Sequence, residues 1–248
     1  MVLTALRGAL GFLSRLPVGH DDEAWAAFAR TPSAFPFVGY VLGPLVALPL
    51  LLPVPPATAA LLFVVGVAVV TGINHFDGVA DLGDAAVVHG PTAERREVMR
   101  DTVVGVGGAV AIAVIVLGLA TAGAGLVGLP ARALPLVVAA EVAAKAAMAT
   151  VVCLGSATHE GLGSALSEHA SARSLVPVLL LAAPAALLTW PGVVPAAATL
   201  ATGPLVALLV LRWARATLGG VSGDVIGATN ELARVAALHV GVVAWTLS

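Results

Sequence analysis

The feature that most constrains the fold is a set of long stretches without charge, such as residues 103–129, which contain no Asp, Glu, Lys or Arg. A helix needs roughly 20 apolar residues to cross the hydrocarbon core of a bilayer. We predict about seven such spans, at residues 35–53, 57–73, 103–129, 131–154, 174–190, 193–213 and 233–248. The sequence therefore predicts an all-α, polytopic transmembrane helix bundle, a single integral membrane domain over residues 1–248.

The composition excludes several other classes of protein. Of the 248 residues, 59% are hydrophobic and only 10% are charged, whereas a soluble domain carries about a quarter of charged residues. The formal net charge of -2 leaves no basic surface for nucleic acid, and the single cysteine, Cys153, excludes an internal disulfide. The lipid bilayer is thus the expected partner of most of this surface.

The N-terminal segment MVLTALRGALGFLSRLPVG is apolar but is interrupted by Arg7 and Arg15. A secretory signal would have an uninterrupted apolar core, so we interpret the segment as an amphipathic helix lying in the membrane interface.

The charges fall almost entirely on one side of the predicted spans. With seven spans, four connecting segments share a side: residues 1–34, 74–102, 155–173 and 212–232. Together with the start of the last span at Arg234 they hold ten of the eleven arginines, and Arg132 is the exception. The positive-inside rule makes that side cytoplasmic, in a multi-pass plasma membrane protein with its N-terminus inside. Thirteen of the 14 carboxylates follow the same division, which indicates an active site facing the cytoplasm more than a transport path.

An acidic segment, HFDGVADLGD at residues 75–84, follows the second predicted span. If the helix continues, Asn74, Asp77, Asp81 and Asp84 recur at spacings of three, four and three, on one face. Three like charges on one face repel each other, and a divalent cation would relieve this. Oxygen ligands without His or Cys favour Mg²⁺, Mn²⁺ or Ca²⁺ over zinc. The alternative is a solvated helix end, but such a face usually contains Lys or Arg and residues 72–92 contain none.

A second constellation is LGGVSGDVIGATNELAR at residues 218–234. Its glycines would let backbone amides approach a phosphate, and its acidic side chains share one helix face. The residues in question are Gly219, Gly220, Gly223, Asp224, Asn230 and Glu231. Asp224 has two interpretations, a helix cap or a metal ligand.

Other polar positions also have both structural and functional interpretations. Glu160 lies in a loop that would contact substrate, Arg100 is a membrane anchor or a phosphate ligand, and Asp101 is a helix cap or a catalytic group. Glu141 and Lys145, four residues apart inside the fourth predicted span, fit a structural ion pair better than a functional one.

Taken together, the motifs resemble those of adenosylcobinamide-GDP ribazoletransferases, the cobalamin synthase family. In chain order they are FLSRLPV at 12–18, FPFVGYVLG at 35–43, HFDGVADLGDA at 75–85, EVMRDTVVGVGG at 97–108, EGLG at 160–163 and LGGVSGDVIGATNEL at 218–232. Val79 stands where the family usually has leucine, and Ser222 where threonine is commoner. The resemblance covers nearly the whole chain.

The resemblance implies transfer of adenosylcobinamide phosphate from adenosylcobinamide-GDP to a hydroxyl of α-ribazole or α-ribazole 5′-phosphate, with release of GMP. We expect Mg²⁺ to be held by Asp77, Asp81 and Asp84, joined by Asp224, because the charge of the diphosphate must be neutralised as its bridging oxygen departs. His75, Asp84 and Asp101 are the candidate bases by position. Arg15, Arg100 and the glycine loop would bind phosphate oxygens.

Two alternatives remain. The CDP-alcohol phosphotransferases also use a carboxylate stripe, D-x-x-D-G-x-x-A-R followed by G-x-x-x-D-x-x-x-D, but D-G-V-A-D at residues 77–81 lacks that arginine and the second aspartate pair. An ion-coupled transporter would use Glu141 and Lys145. The sequence leaves open whether the protein forms a homo-oligomer.

Overall fold

The computed structural model describes residues 2–19 and 21–248, which form twelve α-helices and four short 3-10 segments, without a β-sheet. The helices are α1 Val2–Leu13, α2 Asp22–Ala29, α3 Ala34–Ala47, α4 Pro56–Thr71, α5 Asn74–Val87, α6 Thr92–Val98, α7 Val106–Val127, α8 Pro135–Leu154, α9 Leu162–Ser167, α10 Leu175–Ala182, α11 Val194–Thr217 and α12 Gly223–Thr246. The predicted all-α fold class is confirmed.

Four helical segments are long and apolar enough to cross a membrane: Ala34–Leu51, Val106–Val127, Ala131–Leu154 and Val194–Thr217. α4 and α5 pass the same test only as a pair, and they are bent by 102° relative to each other. The chain is therefore an integral membrane protein with four spans by this measure, or five if the bent pair is counted. The predicted number of seven is not confirmed.

The difference between the seven predicted spans and the five counted with the bent pair arises at two of the predicted spans. Residues 174–190 contain α10, only eight residues long, followed by the 3-10 segment Ala183–Leu187, so this apolar stretch makes no single long helix. Residues 233–248 are the second half of α12, which begins ten residues earlier than predicted. The first half of α12 is polar in sequence, so hydropathy alone places the start of the last span ten residues too late.

The centre of the bundle is α8, and 17 of its 20 residues are buried inside the protein. Its sequence AAEVAAKAAMA is rich in alanine, and small side chains allow neighbouring helices to approach closely. α3, α11 and α12 pack directly on it. The amphipathic α12 is thereby held with one face against the most buried helix of the fold.

The N-terminal segment is helical, as predicted, and α1 packs against α2. Phe12, Trp25 and Phe28 form an aromatic cluster between the two helices, with ring centroids 5.0–5.9 Å apart. Val2 and Leu3 on α1 remain exposed, which suits a helix at a membrane surface.

Candidate active site

The predicted carboxylate helix is present as α5, but it does not continue straight from the apolar helix before it. α4 is followed by Gly72, whose φ of +80° lies in a region that favours glycine, and α5 then begins at Asn74 in a new direction. Because all three carboxylates belong to α5, we place α5 at the membrane surface, outside the spans. Asp77 is exposed, Asp81 is half-buried and Asp84 is buried.

Asp84 is engaged by the neighbouring helix α7. Its Oδ2 accepts a hydrogen bond from the amide of Gly105 and its Oδ1 one from the amide of Gly108, both at 2.8 Å. These amides belong to the N-terminal turn of α7, whose N–H groups have no partner within their own helix. Asp84 was predicted as a metal ligand and as a base, but the structure gives it the role of a cap for α7.

Asp224 meets the carboxylate helix from the opposite side. α5 and α12 approach so closely at Gly78 that a Cβ there would lie 2.5 Å from the carbonyl oxygen of Asp224. Burial and the neighbouring charges of Asp224, Asp77 and Asp84 raise the pKa of Asp81 to about 7. The fold therefore brings together three of the predicted metal ligands, Asp77, Asp81 and Asp224, from two distant parts of the sequence.

The donor chemistry of this cluster fits a hard divalent cation. The described residues contain no arginine or lysine within ion-pair distance of Asp77, Asp81 or Asp224, so the half-buried Asp81 is surrounded by like charge. Across the same part of the chain, no group of three or more His, Cys, Asp or Glu side chains already has metal-binding geometry. The carboxylates would thus have to turn toward a bound ion, which the flexible χ angles of Asp permit.

The predicted glycine loop forms the turn into α12. Gly219 has a φ of +74°, so glycine is needed there for the backbone conformation, and the end of the Arg96 side chain lies against it. Gly220 lies against the carbonyl of Ser156, and Gly223 is the first residue of α12. The glycines therefore shape the turn through protein contacts.

A small cavity of about 50 Å³ opens beside this loop. It is lined by Arg96, Met99, Arg100, Thr158, His159, Leu218, Gly220, Ser222, Asp224 and Val225. The side chain of Arg96 is held there because its Nε donates to the carbonyl of Leu218 at 2.7 Å. Arg100 was predicted as a phosphate ligand, whereas Arg96 was not; its spacing of four from Arg100 was the available signal.

Asp101 and Glu160 lie apart from the carboxylate cluster. Asp101 is exposed, and its Oδ1 accepts a hydrogen bond from the amide of Val103 at 3.1 Å. It thus caps a turn before α7 and not the helix itself, whose N-cap is Gly105. Glu160 is exposed in the loop before α9, where its neighbour His159 lines the small cavity.

Asn230 and Glu231, predicted to bind substrate, instead belong to a fully buried polar network between α8 and α12. Lys145 Nζ donates to Glu141 Oε2 at 3.2 Å and to Asn230 Oδ1 at 2.8 Å, and Asn230 Nδ2 donates to Glu231 Oε1 at 2.8 Å. Arg234 bridges the two glutamates. The charges of the two glutamates and of the two cationic side chains cancel inside the protein, as expected for the structural interpretation of the Glu141–Lys145 pair.

His75 connects this network to the carboxylate cluster. Its Nδ1 lies 3.1 Å from Asn230 Nδ2 and 3.5 Å from Glu231 Oε1. Burial lowers the pKa of His75 in spite of the nearby Glu231, so the ring is neutral at pH 7. His75 also lines a cavity of about 210 Å³ together with Asp77 and Asp224. Of the three predicted bases, His75 is therefore the one that lines a cavity together with members of the cluster.

Arg15 approaches the same region from the N-terminal helices. Its side chain packs over Gly72 at the α4–α5 turn, and its backbone amide donates to the carbonyl of Val70 at 2.9 Å. Arg15 and Asn74 both line a larger cavity of about 940 Å³ beside α1 and α2.

Comparison with known proteins gives a consistent result over the full chain. Residues 5–242 match the family model described as cobalamin-5-phosphate synthase. An adenosylcobinamide-GDP ribazoletransferase from Halorubrum lacusprofundi is 62% identical, over 99% of each chain. Proteins of the same name from Haloquadratum walsbyi and Methanocella arvoryzae are 49% and 35% identical, over at least 97% of each chain. No solved structure matches the chain.

Proposed function

Because the chain belongs to the cobalamin-5-phosphate synthase family, we propose that it transfers adenosylcobinamide phosphate from adenosylcobinamide-GDP to a hydroxyl of α-ribazole or α-ribazole 5′-phosphate. Two relatives that are named for this reaction match the chain over at least 99% of their length. The observation that carries the proposal is the half-buried Asp81 between Asp77 and Asp224, beside the cavity that His75 lines. This is the arrangement that a charged diphosphate ester needs.

Asp77, Asp81 and Asp224 would hold Mg²⁺. The bound ion would neutralise the diphosphate and stabilise the departing GMP. Asp84 would act indirectly, because its cap on α7 keeps the C-terminal end of α5 in place.

The phosphate groups would be bound by cations on either side of the carboxylates. Arg96 and Arg100, next to the glycine loop, face Asp224 across the small cavity and suit the GMP side of the diphosphate. Arg15 lies on the other side, near Asn74. Charge on both sides would fix the phosphorus atom over the metal ligands.

His75 would accept the proton of the attacking hydroxyl. The Asn230 side-chain amide donates to Nδ1 at 3.1 Å, so Nε2 can accept this proton only in the tautomer that carries its hydrogen on Nδ1 and directs it to Glu231 Oε1, 3.5 Å away. The Glu231 carboxylate would then stabilise the imidazolium that forms. The new bond joins the acceptor oxygen to the corrinoid phosphate. The bond between that phosphate and GMP breaks, and GMP leaves with the bridging oxygen.

The site would face the cytoplasm of a plasma membrane protein whose N-terminus is inside. Its support is in the sequence, where ten of the eleven arginines lie in residues 1–34, 74–102, 155–173 and 212–234, the same segments that hold the predicted site residues. Cysteine labelling of an engineered Ser248→Cys variant, with Cys153 replaced by alanine, would test this orientation.

The reaction is tested with purified protein in detergent, adenosylcobinamide-GDP, α-ribazole and Mg²⁺. We expect GMP release that stops with EDTA and returns with added Mg²⁺, and separate assays with α-ribazole 5′-phosphate identify the preferred acceptor. Consumption of a CDP-alcohol in place of the corrinoid would contradict the proposal. GMP release that continues in the presence of EDTA would also contradict the proposal.

A further inference from the structure

The cavity of about 940 Å³ beside α1 and α2 is the largest described above, and the proposed chemistry uses only Arg15 from its walls. Its other notable side chains are Phe12, Asp22, Trp25 and Asn74. Three of the five come from the two N-terminal helices and one from the start of α5. The N-terminal segment therefore forms a binding wall next to the carboxylate helix.

Size and the polarity of its walls separate this cavity from the others. Pockets that enclose whole ligands have volumes of about 300–1,000 Å³. The cavity that His75 lines measures about 210 Å³ and the one beside Arg96 about 50 Å³. These two suit a nucleoside fragment and a phosphate group. A further groove of about 450 Å³ beside Val114, Leu209 and Trp213 has no charged or polar side chain in its walls, so it offers no partner for polar ring substituents. The cavity of 940 Å³ is therefore the one that suits a macrocyclic ligand with a polar rim.

The walls of the large cavity combine flat apolar surface with charged groups. Phe12 and Trp25 form the apolar part, with ring centroids 5.0 Å apart. Asp21 is already used, because it caps α2 through the amide of Ala24 and pairs with Arg7. Asp22, the next residue, is exposed and lines the cavity as a hydrogen-bond acceptor. Such walls suit a large ring with a rim of amide groups.

The large cavity also leads to the reaction centre. Phe12 and Asn74 line both it and the cavity that contains His75 and Asp77. Asn74 is the first residue of α5, one helical turn before Asp77. A ligand in the large cavity can thus extend a phosphate-bearing arm past Arg15 and Asn74 toward the carboxylates.

We propose that this cavity binds the corrinoid part of the activated substrate, with its ring against Trp25 and its carboxamide rim at Asp22. The inference rests on the proposed function. The carboxamide N–H groups of a corrinoid donate hydrogen bonds to a carboxylate. The acceptor nucleoside is left with the smaller cavity beside His75.

The experiment measures binding without chemistry. Adenosylcobinamide, which lacks the nucleotide, is titrated against purified protein by equilibrium dialysis, and its visible absorbance reports the bound fraction. Asp22→Lys should weaken its binding about fivefold or more, since an exposed carboxylate contributes modestly. Glu23→Lys is the matched control: Glu23 lies in the same first turn of α2, is exposed and does not line the cavity as described.

Further measurements distinguish a loss of corrinoid binding from a loss of folding or of acceptor binding. Both variants should have the circular dichroism and thermal midpoint of the wild type, and Asp22→Lys should raise KM for adenosylcobinamide-GDP while KM for the acceptor stays unchanged. Equal corrinoid affinity in both variants, or weakened acceptor binding in Asp22→Lys, would overturn the inference even if the wild type releases GMP. Absence of GMP release by the wild type would instead refute the proposed function.

Discussion

Replacing Asp81 with asparagine should stabilise the metal-free protein while abolishing turnover. Asp81 is half-buried among Asp77, Asp84 and Asp224, and these charges together with burial raise its pKa from 3.8 to about 7. An ionised Asp81 therefore destabilises the fold in the absence of a cation. Asparagine has nearly the same shape but removes the charge that a metal would need.

The magnitude follows from the difference between the folded and unfolded pKa values. A rise from 3.8 to about 7 corresponds to about 4 kcal/mol without screening, at 1.36 kcal/mol per pH unit. Partial exposure of Asp81 reduces this to about 1–2 kcal/mol. Because the folded state holds the proton more tightly, stability is highest below pH 4, falls as the pH rises toward 7 and is lowest above it. The Asp81→Asn variant should lack this fall.

The assay is thermal unfolding in detergent with EDTA at several pH values. At pH 8 the variant should unfold several degrees above the wild type, since about 1 kcal/mol shifts the midpoint by about 2–4 °C at this chain length, and the difference should shrink toward pH 4. Added Mg²⁺ should raise the midpoint of the wild type only. Identical pH profiles for wild type and variant, or full turnover by the variant, would refute the reasoning.

Asp84→Asn is the matched control on the same helix, and its effect should have the opposite sign. Asparagine keeps one acceptor oxygen but turns an N–H group toward the amide of Gly105 or Gly108. The expected loss is about 1–3 kcal/mol, since one backbone amide at the N-terminus of α7 is left without its acceptor.

The other predictions concern the groups around the carboxylates. His75→Gln should lower kcat by about 10²–10⁴-fold with little change in KM, and an unchanged pH–rate profile would contradict its role as base. Arg96→Ala should raise KM for adenosylcobinamide-GDP and weaken inhibition by GMP. Arg95→Ala is its control: this variant loses a hydrogen bond to the carbonyl of Ala85, so it should lower the stability without changing GMP binding. Lys145→Met should destabilise by about 3–5 kcal/mol because Glu141 loses a buried partner, and adding Glu141→Gln should recover part of this in the same unfolding assay.

Much of the fold could be predicted because hydropathy is a local property of the sequence. The stretches at residues 103–129 and 131–154 contain enough apolar residues to make long helices, and α7 and α8 lie within them. The helical spacing of the α5 carboxylates was equally local. The start of the last span is predicted ten residues too late because the first half of α12 is polar, and only its pairing with α8 shows that these polar groups are satisfied inside the bundle.

The site was predicted less completely because its contacts join distant segments. The acidic composition of α5 was visible, but the sequence could not distinguish the cap function of Asp84 from metal binding, since its partners lie 21 and 24 residues away. The roles of Asn230 and Glu231 could not be predicted for the same reason, because Lys145 is 85 residues from Asn230 in the sequence. The roles of these residues are decided by helix packing.

The bend at Gly72 explains why an apolar helix is followed by three carboxylates. A straight continuation of α4 would carry α5 away from α12, and Asp81 would have no acidic neighbour outside its own helix. The 102° turn instead lays α5 across the bundle, where Gly78 meets the backbone of Asp224 and Asp84 reaches α7. The same turn exposes the first residue of α5 to the cavity built by α1 and α2. One change of direction therefore assembles the carboxylate cluster, anchors it to α7 and opens it toward the cavity of about 940 Å³ beside α1 and α2.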